Sequence, residues 1–305
     1  MKKSCVHILI YCLSVFCTAS CSSGEDDIPL ATPVAPPDSA PIPISLDCGI
    51  APNTKITNTG FETNDQIGIY VVNYHEQSSG ELSTTGNHVD NMKFTFNTTW
   101  TPQTPIYWKD NITPADFYAY YPYGNPSDIA AYPFQVKTNQ SSLNEYKACD
   151  FLWGKATRVM PTEQAVNIQT THLFSSIQIK VAAGNGFTSE SLQAAQVNVY
   201  LNGCKTAALI NLKNGVVTPT GTPGTIQPYL ENGLYKAMVI PQSVTAEDFI
   251  AVRIDNQTYR LNTTFTFEGG KRHSFTVTVN KTSNGINVGI NPWEDDTTDH
   301  GGNAE

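Results

Sequence analysis

Past residue 44, apolar side chains fall at every second position in short runs. That periodicity restricts the chain to β structure. It is clearest in Ile177-Gln178-Ile179-Lys180-Val181 and in Phe275-Thr276-Val277-Thr278-Val279. A strand sends successive side chains to opposite faces, so such runs build one buried face and one polar face. Further runs lie at 44–50, 66–73, 91–97, 116–121, 134–137, 151–155, 165–169, 196–201, 207–212, 233–240, 249–254, 257–261 and 286–290. Asn214-Gly215, Asn232-Gly233 and Asn284-Gly285 mark turns, because both residue types accept the left-handed backbone of tight hairpins. No long stretch carries helical periodicity; residues 188–195 suffice for one or two turns capped by Thr188 or Ser189. Short strands at this spacing predict an all-β protein of antiparallel sandwiches, two of about seven strands each. The polar, proline-broken Met160-Pro161-Thr162-Glu163-Gln164 sets the expected boundary, giving domains over 44–160 and 161–293.

The first 43 residues read differently. Lys2 and Lys3 precede an apolar run over 6–16, and Thr18-Ala19-Ser20 then leads into Cys21. The run is too short to span a bilayer, so residues 1–20 read as a secretory signal. Small residues before Cys21 resemble the lipobox of bacterial lipoproteins, which makes Cys21 the expected lipid-attachment residue. Acyl chains on that cysteine would hold the protein on the outer membrane. Residues 21–43 form a tether, acidic at 25–27 and then rich in Pro and Ala, which favours extended, semi-stiff backbone. Asp38-Ser39-Ala40 within it resembles a bacterial O-glycan acceptor.

The 305 residues carry 27 acidic and 18 basic side chains, two of the latter in the leader, which disfavours a nucleic-acid partner. Beyond the leader and Cys21 only Cys48, Cys149 and Cys204 remain, an odd and widely spaced set that forms neither a disulfide framework nor a metal site. None of the six histidines sits in a metal-binding spacing. There is no nucleophile elbow and no phosphate loop. Neither enzyme chemistry nor a cofactor is expected. The aromatic run over 117–123 is the candidate binding surface: Phe117, Ala119 and Tyr121 share one face and Tyr118 and Tyr120 the other. Tyr118, Tyr120 and Trp108 are the residues expected to stack on a sugar or a protein partner if that second face is open. Core and cross-strand packing is the favoured assignment for these rings.

Several segments occur together in one order. They are Phe61 followed by Asp65-Gln66-Ile67-Gly68-Ile69-Tyr70, then Thr104-Pro105-Ile106-Tyr107-Trp108, then Asp116-Phe117-Tyr118-Ala119-Tyr120-Tyr121-Pro122-Tyr123. Asn139-Gln140-Ser141, Asp150-Phe151-Leu152-Trp153-Gly154-Lys155, His172-Leu173-Phe174-Ser175-Ser176-Ile177, Ile240-Pro241-Gln242 and Ile290-Asn291-Pro292-Trp293 follow. Behind a lipobox, this series resembles the fimbrillin family, the pilin-like surface lipoproteins of type V fimbriae. The resemblance implies two transthyretin-like sandwich domains. It also implies assembly with other fimbrial subunits by strand exchange, in which a protease removes the first strand and a neighbour's strand replaces it.

Residues 44–50 have the form of such a removable strand, with Ile44, Leu46, Cys48 and Ile50 on one side. Family members usually carry Arg in the following loop; here Lys55 stands there, and the first Arg of the chain is Arg158. Lys55 is therefore the expected processing site. Residues 294–305 are acidic and lack alternating apolar residues, so they do not read as a donor strand. The expected role is a fimbrial tip or accessory subunit acting in adhesion to a host protein or glycan. The alternatives are a non-polymerising fimbrial anchor and a glycan-binding surface lipoprotein of a nutrient-uptake system.

Overall fold

Alternating runs become strands throughout the computed structural model, which describes residues 40–51, 60–281 and 286–291. The first nine strands are β1 (Leu46–Ile50), β2 (Gln66–His75), β3 (Ser78–Ser79), β4 (Val89–Asn97), β5 (Thr99–Pro102), β6 (Ala115–Tyr121), β7 (Tyr132–Gln135), β8 (Leu152–Val159) and β9 (Val166–His172). All but β7 form one sheet in the order β1-β9-β8-β6-β2-β4-β5, with β3 folded back on β2. The sheet curls until its two ends meet, and the Trp100 indole N–H on β5 donates to the Cys48 carbonyl on β1 at 2.9 Å. Inside the curl lies a core that includes Ile67, Ile69, Phe94, Phe117 and Ile168.

The rest of the chain adds a short helix α1 (Leu143–Lys147), then β10 (Ser175–Ala183), α2 (Ser189–Ala194), β11 (Val197–Asn211), β12 (Val216–Ile226), β13 (Tyr229–Glu231) and β14 (Leu234–Val239). It closes with β15 (Gln242–Ile254), β16 (Gln257–Phe267), β17 (Arg272–Val279) and β18 (Ile286–Asn291). One sheet runs β13-β14-β10-β17-β18 and the other β12-β11-β15-β16, with β7 added on β11. The two pack face to face, as in the edge-on contact of Phe249 with Phe275 at 5.8 Å.

The sheets do not divide at 160. Strand β9 completes the first sheet although it follows that position, and β7 joins a sheet of the second body although it precedes it. The described residues fall into one cluster of contacts. The shared core explains this. The outer face of β2 and β6, carrying Tyr70, Val72, Tyr118 and Tyr120, is buried with Phe151 and Phe174 in the core of the second sandwich. Two pairings are parallel rather than antiparallel, β1 with β9 and β10 with β17.

Several strands run longer than the sequence pattern predicts. The runs 196–201 and 207–212 are one bent strand, β11, interrupted by irregular register between Asn202 and Ala207. Gly203 supplies the left-handed backbone there, with φ of +77°. The Gln242 side chain clamps the bend, accepting from the Lys205 N–H and donating to its carbonyl, each at 2.8 Å. Strand β12 contains Pro219 and Pro223, which disguise it in the sequence; it is an edge strand, where a proline's missing N–H is tolerated. Helix α2 carries the expected Thr188 cap, completed into a capping box by Ser191.

Candidate functional site: the first strand and its slot

Alternation in residues 44–50 places side chains as the sequence predicts. Ile44, Leu46 and Cys48 are buried at 4, 5 and 4 % exposure, Ser45 and Asp47 face outward, and Ile50 is half-buried at the end. The strand is held from two directions. Its start pairs antiparallel with residues 106–108: the Ile44 N–H donates to the Ile106 carbonyl and the Trp108 N–H to the Ile42 carbonyl, both at 2.9 Å. Its remainder lies parallel to β9, in register from Leu46 opposite Val166 to Ile50 opposite Thr170. The Val166 N–H donates to the Ser45 carbonyl at 2.8 Å and the Ala51 N–H to the Thr170 carbonyl at 2.7 Å. Two side chains complete the accounting: Trp100 on the Cys48 carbonyl, and Thr170 Oγ1 on the Gly49 carbonyl at 3.0 Å.

Main-chain bonds and alternate inward side chains are the interactions by which one extended segment adds to another's sheet. Burying an aliphatic side chain is worth about 1.5–3 kcal/mol, so Ile44 and Leu46 together contribute about 3–6 kcal/mol to holding the strand. Without the strand, the backbone of β9 and an apolar slot would face water, which is costly on both counts.

Cys48 acts here as a small apolar plug. Burial, aided by the neighbouring Asp47 charge, pushes its thiol up to about 12, so it stays neutral and unreactive. Burial likewise pushes Cys149 to about 11 and Cys204 to about 12, and all three are free thiols in the interior.

The expected aromatic platform is absent from the surface. Trp108 is buried, with its indole N–H on the Thr162 carbonyl at 3.1 Å and its ring edge-on to Phe117 at 5.3 Å. It thereby braces the partner segment of the first strand. Tyr118 is buried beneath the Lys155 ammonium, 4.6 Å from its ring centre. Tyr120 is buried, and its hydroxyl donates to Asn91 Oδ1 at 2.7 Å or to the Gly124 carbonyl at 2.8 Å. Its hydroxyl pKa is raised by burial above all. The physical reason is that the second sandwich covers the face of β6 that carries Tyr118 and Tyr120, the core packing that the sequence favours. Cys21 and Lys55 lie outside the described residues, as do residues 294–305.

Other motif residues are structural. The Gln140 side chain mimics a strand partner, accepting from the Met238 N–H at 2.8 Å and donating to its carbonyl at 2.9 Å. Asp116 is buried and accepts from the Arg158 N–H at 2.8 Å and from Ser79 Oγ and Lys155 Nζ at 2.9 Å. Burial works to raise this carboxyl, but those bonds together hold it below its ordinary value. His172 pairs through Nδ1 with Asp150 at 2.9 Å; burial opposes its charge, yet the carboxylate raises its pKa overall. Among the described residues no cluster of His, Cys, Asp and Glu is placed to hold a metal, and no helix is long and apolar enough to cross a membrane.

The Thr104–Trp108 motif was visible in the sequence, but its pairing with residues 42–44 was not. The alternation of buried Ile106 and Trp108 around exposed Tyr107 is the signal that marks it as a strand partner.

A sequence model of the family described as fimbrillin-like matches residues 54–293. A Bacteroides uniformis protein provisionally named a fimbrium subunit, Fim1C, is 23% identical over 309 aligned positions, covering 96% of each chain. A Bacteroides ovatus protein provisionally named a fimbrium tip subunit, also Fim1C, is 26% identical over 197 positions; the match covers 58% of this chain and only 34% of that one. In fold, the chain is similar to a crystal structure from B. uniformis described as a provisional cell adhesion protein. The TM-score there is 0.63 at 23% identity, over 85% of this chain and all of that one. A second such structure, from B. ovatus, gives 0.62 at 18% identity, over 84% and 98%.

Proposed function

The chain belongs to the fimbrillin-like family, and from that premise we propose that it is a subunit of a bacterial surface fimbria whose first strand is exchanged for a strand of a neighbouring subunit. The observation that carries this reading is the seating of residues 44–50. They fill the slot with alternate side chains at one end of a sheet, bonded through main chain to β9 and to 106–108. A segment held this way is replaceable by another with the same alternation. Fimbrial assembly needs no catalysis, and the role proposed here is not enzymatic.

Within that role, Lys55 is the processing site, Cys21 carries the lipid that brings the subunit to the outer membrane, and the subunit sits at the tip and acts in adhesion. The tip position draws on the name borne by the B. ovatus relative.

The test uses the chain from Cys21 onward. A Lys-specific protease is expected to cut after Lys55, an Arg-specific one to leave that loop intact. After the cut, a synthetic peptide spanning an alternating strand of a co-expressed subunit should displace residues 44–50 and form a stable complex. A cut protein that keeps its own strand and takes up no added strand would overturn the proposal.

A further inference from the structure

A cleft of about 420 Å³ opens where the two bodies meet, at the far end of the first strand. It touches that strand only at Ile50. Half-buried rings of Phe61, Tyr121 and Tyr146 line it, with Phe61 and Tyr121 edge-on at 5.8 Å. Such a volume, at a junction between bodies and with aromatic rings among polar groups on its walls, suits a small ligand.

The cations on the walls are already matched. His172 pairs with Asp150 at 2.9 Å, Lys147 with Glu62 at 2.5 Å, and Lys271 with Glu268 at 2.8 Å. Asp65 accepts from the Tyr121 hydroxyl at 3.2 Å and from the Glu62 N–H at 2.6 Å. An anionic ligand would have to break one of these pairs to gain a partner. A neutral ligand faces no such cost. It meets flat aromatic surface beside carboxylate and hydroxyl oxygens that retain lone pairs. A pyranose ring offers the matching chemistry, with an apolar C–H face for the rings and a rim of hydroxyls that both donate and accept.

We propose that this cleft binds a short neutral saccharide. The site is distinct from the buried Tyr118, Tyr120 and Trp108, and of the first strand it uses only Ile50.

Gly60 lies in the cleft lining, and a Cβ built there meets nothing within 4 Å among the described residues. Gly60→Trp is expected to obstruct the cleft, with a thermal melt verifying that the fold is kept. Saturation-transfer NMR on the chain from Cys21 onward would use maltotriose, mannotriose and lacto-N-tetraose as neutral probes. N-acetylneuraminic acid and trialanine serve as charged-sugar and peptide probes. At least one neutral saccharide should bind with a dissociation constant of about 10 mM or tighter. Gly60→Trp and Phe61→Ala should each weaken that binding about tenfold or more. Three results would overturn the proposal: no transfer to any neutral probe, binding undiminished by Gly60→Trp, or equal or stronger binding of the acidic sugar or the peptide.

Discussion

Replacing Leu46 by Ala tests whether the first strand is a structural part of the sheet or only rests on it. Leu46 is 5% exposed and points into the core of the curled sheet, while Asp47 beside it faces outward. Truncating a buried Leu removes its transfer energy and leaves a cavity, at a cost of about 2–5 kcal/mol. Truncating the outward Asp47 should change stability by less than about 0.5 kcal/mol. Urea denaturation gives the global figure, and hydrogen exchange at the Val166 amide, which donates to the Ser45 carbonyl, gives the local one. If the strand opens on its own, Leu46→Ala will accelerate exchange at Val166 by the full energetic cost while the urea midpoint moves less. If the strand opens only with the whole molecule, both will move together. Should Leu46→Ala alter neither quantity by more than Asp47→Ala does, the strand contributes nothing to the core and the basis for strand exchange is gone.

Removing Gln140 in Gln140→Ala strands a buried N–H and carbonyl of Met238, and at about 1–3 kcal/mol per group the loss should be about 2–6 kcal/mol by urea denaturation. Asp116→Ala leaves Lys155 without its buried partner and should cost about 3–5 kcal/mol, read as a lowered melting temperature. The Asp116 carboxyl is depressed on folding, so its contribution is full above the ordinary value of 3.8 and fades as acid takes the pH down through the folded value; the variant's acid transition should be correspondingly shallower. His172 has the opposite sign. Its pKa is raised on folding, so the pair with Asp150 contributes fully below 6.5 and loses that contribution as pH climbs through the folded value. In His172→Gln, stability measured from pH 5 to 9 should lose this downward slope.

The strands most visible in the sequence are those with one wet face, such as β17, whose buried and half-buried positions alternate along its whole length. Strand β6 is buried on both faces, and the period-two rule that identifies it leaves open whether Tyr118 and Tyr120 meet solvent or core. Periodicity reports which residues share a face, not what covers it; that depends on the packing of a second sandwich distant in sequence. Proline hid β12 for a related reason, since only the sheet order reveals which strand lies at the edge. The first strand was legible because Ile44, Leu46 and Cys48 alternate with polar residues. Its parallel pairing with β9, more than a hundred positions away, leaves no local trace.

The aromatic layer shared between the curled sheet and the sandwich has a mechanical meaning for any assembly built from this chain. Tyr120 stacks on Phe151 at 6.2 Å, Phe151 meets Phe134 at 5.1 Å, and Phe134 meets Phe174 at 5.5 Å, so ring follows ring from one body into the other. Tension applied at the amino-terminal end would meet continuous side-chain packing instead of a flexible joint. Each molecule would bear load as a stiff link, and the compliance of a chain of such molecules would reside where one copy grips the next.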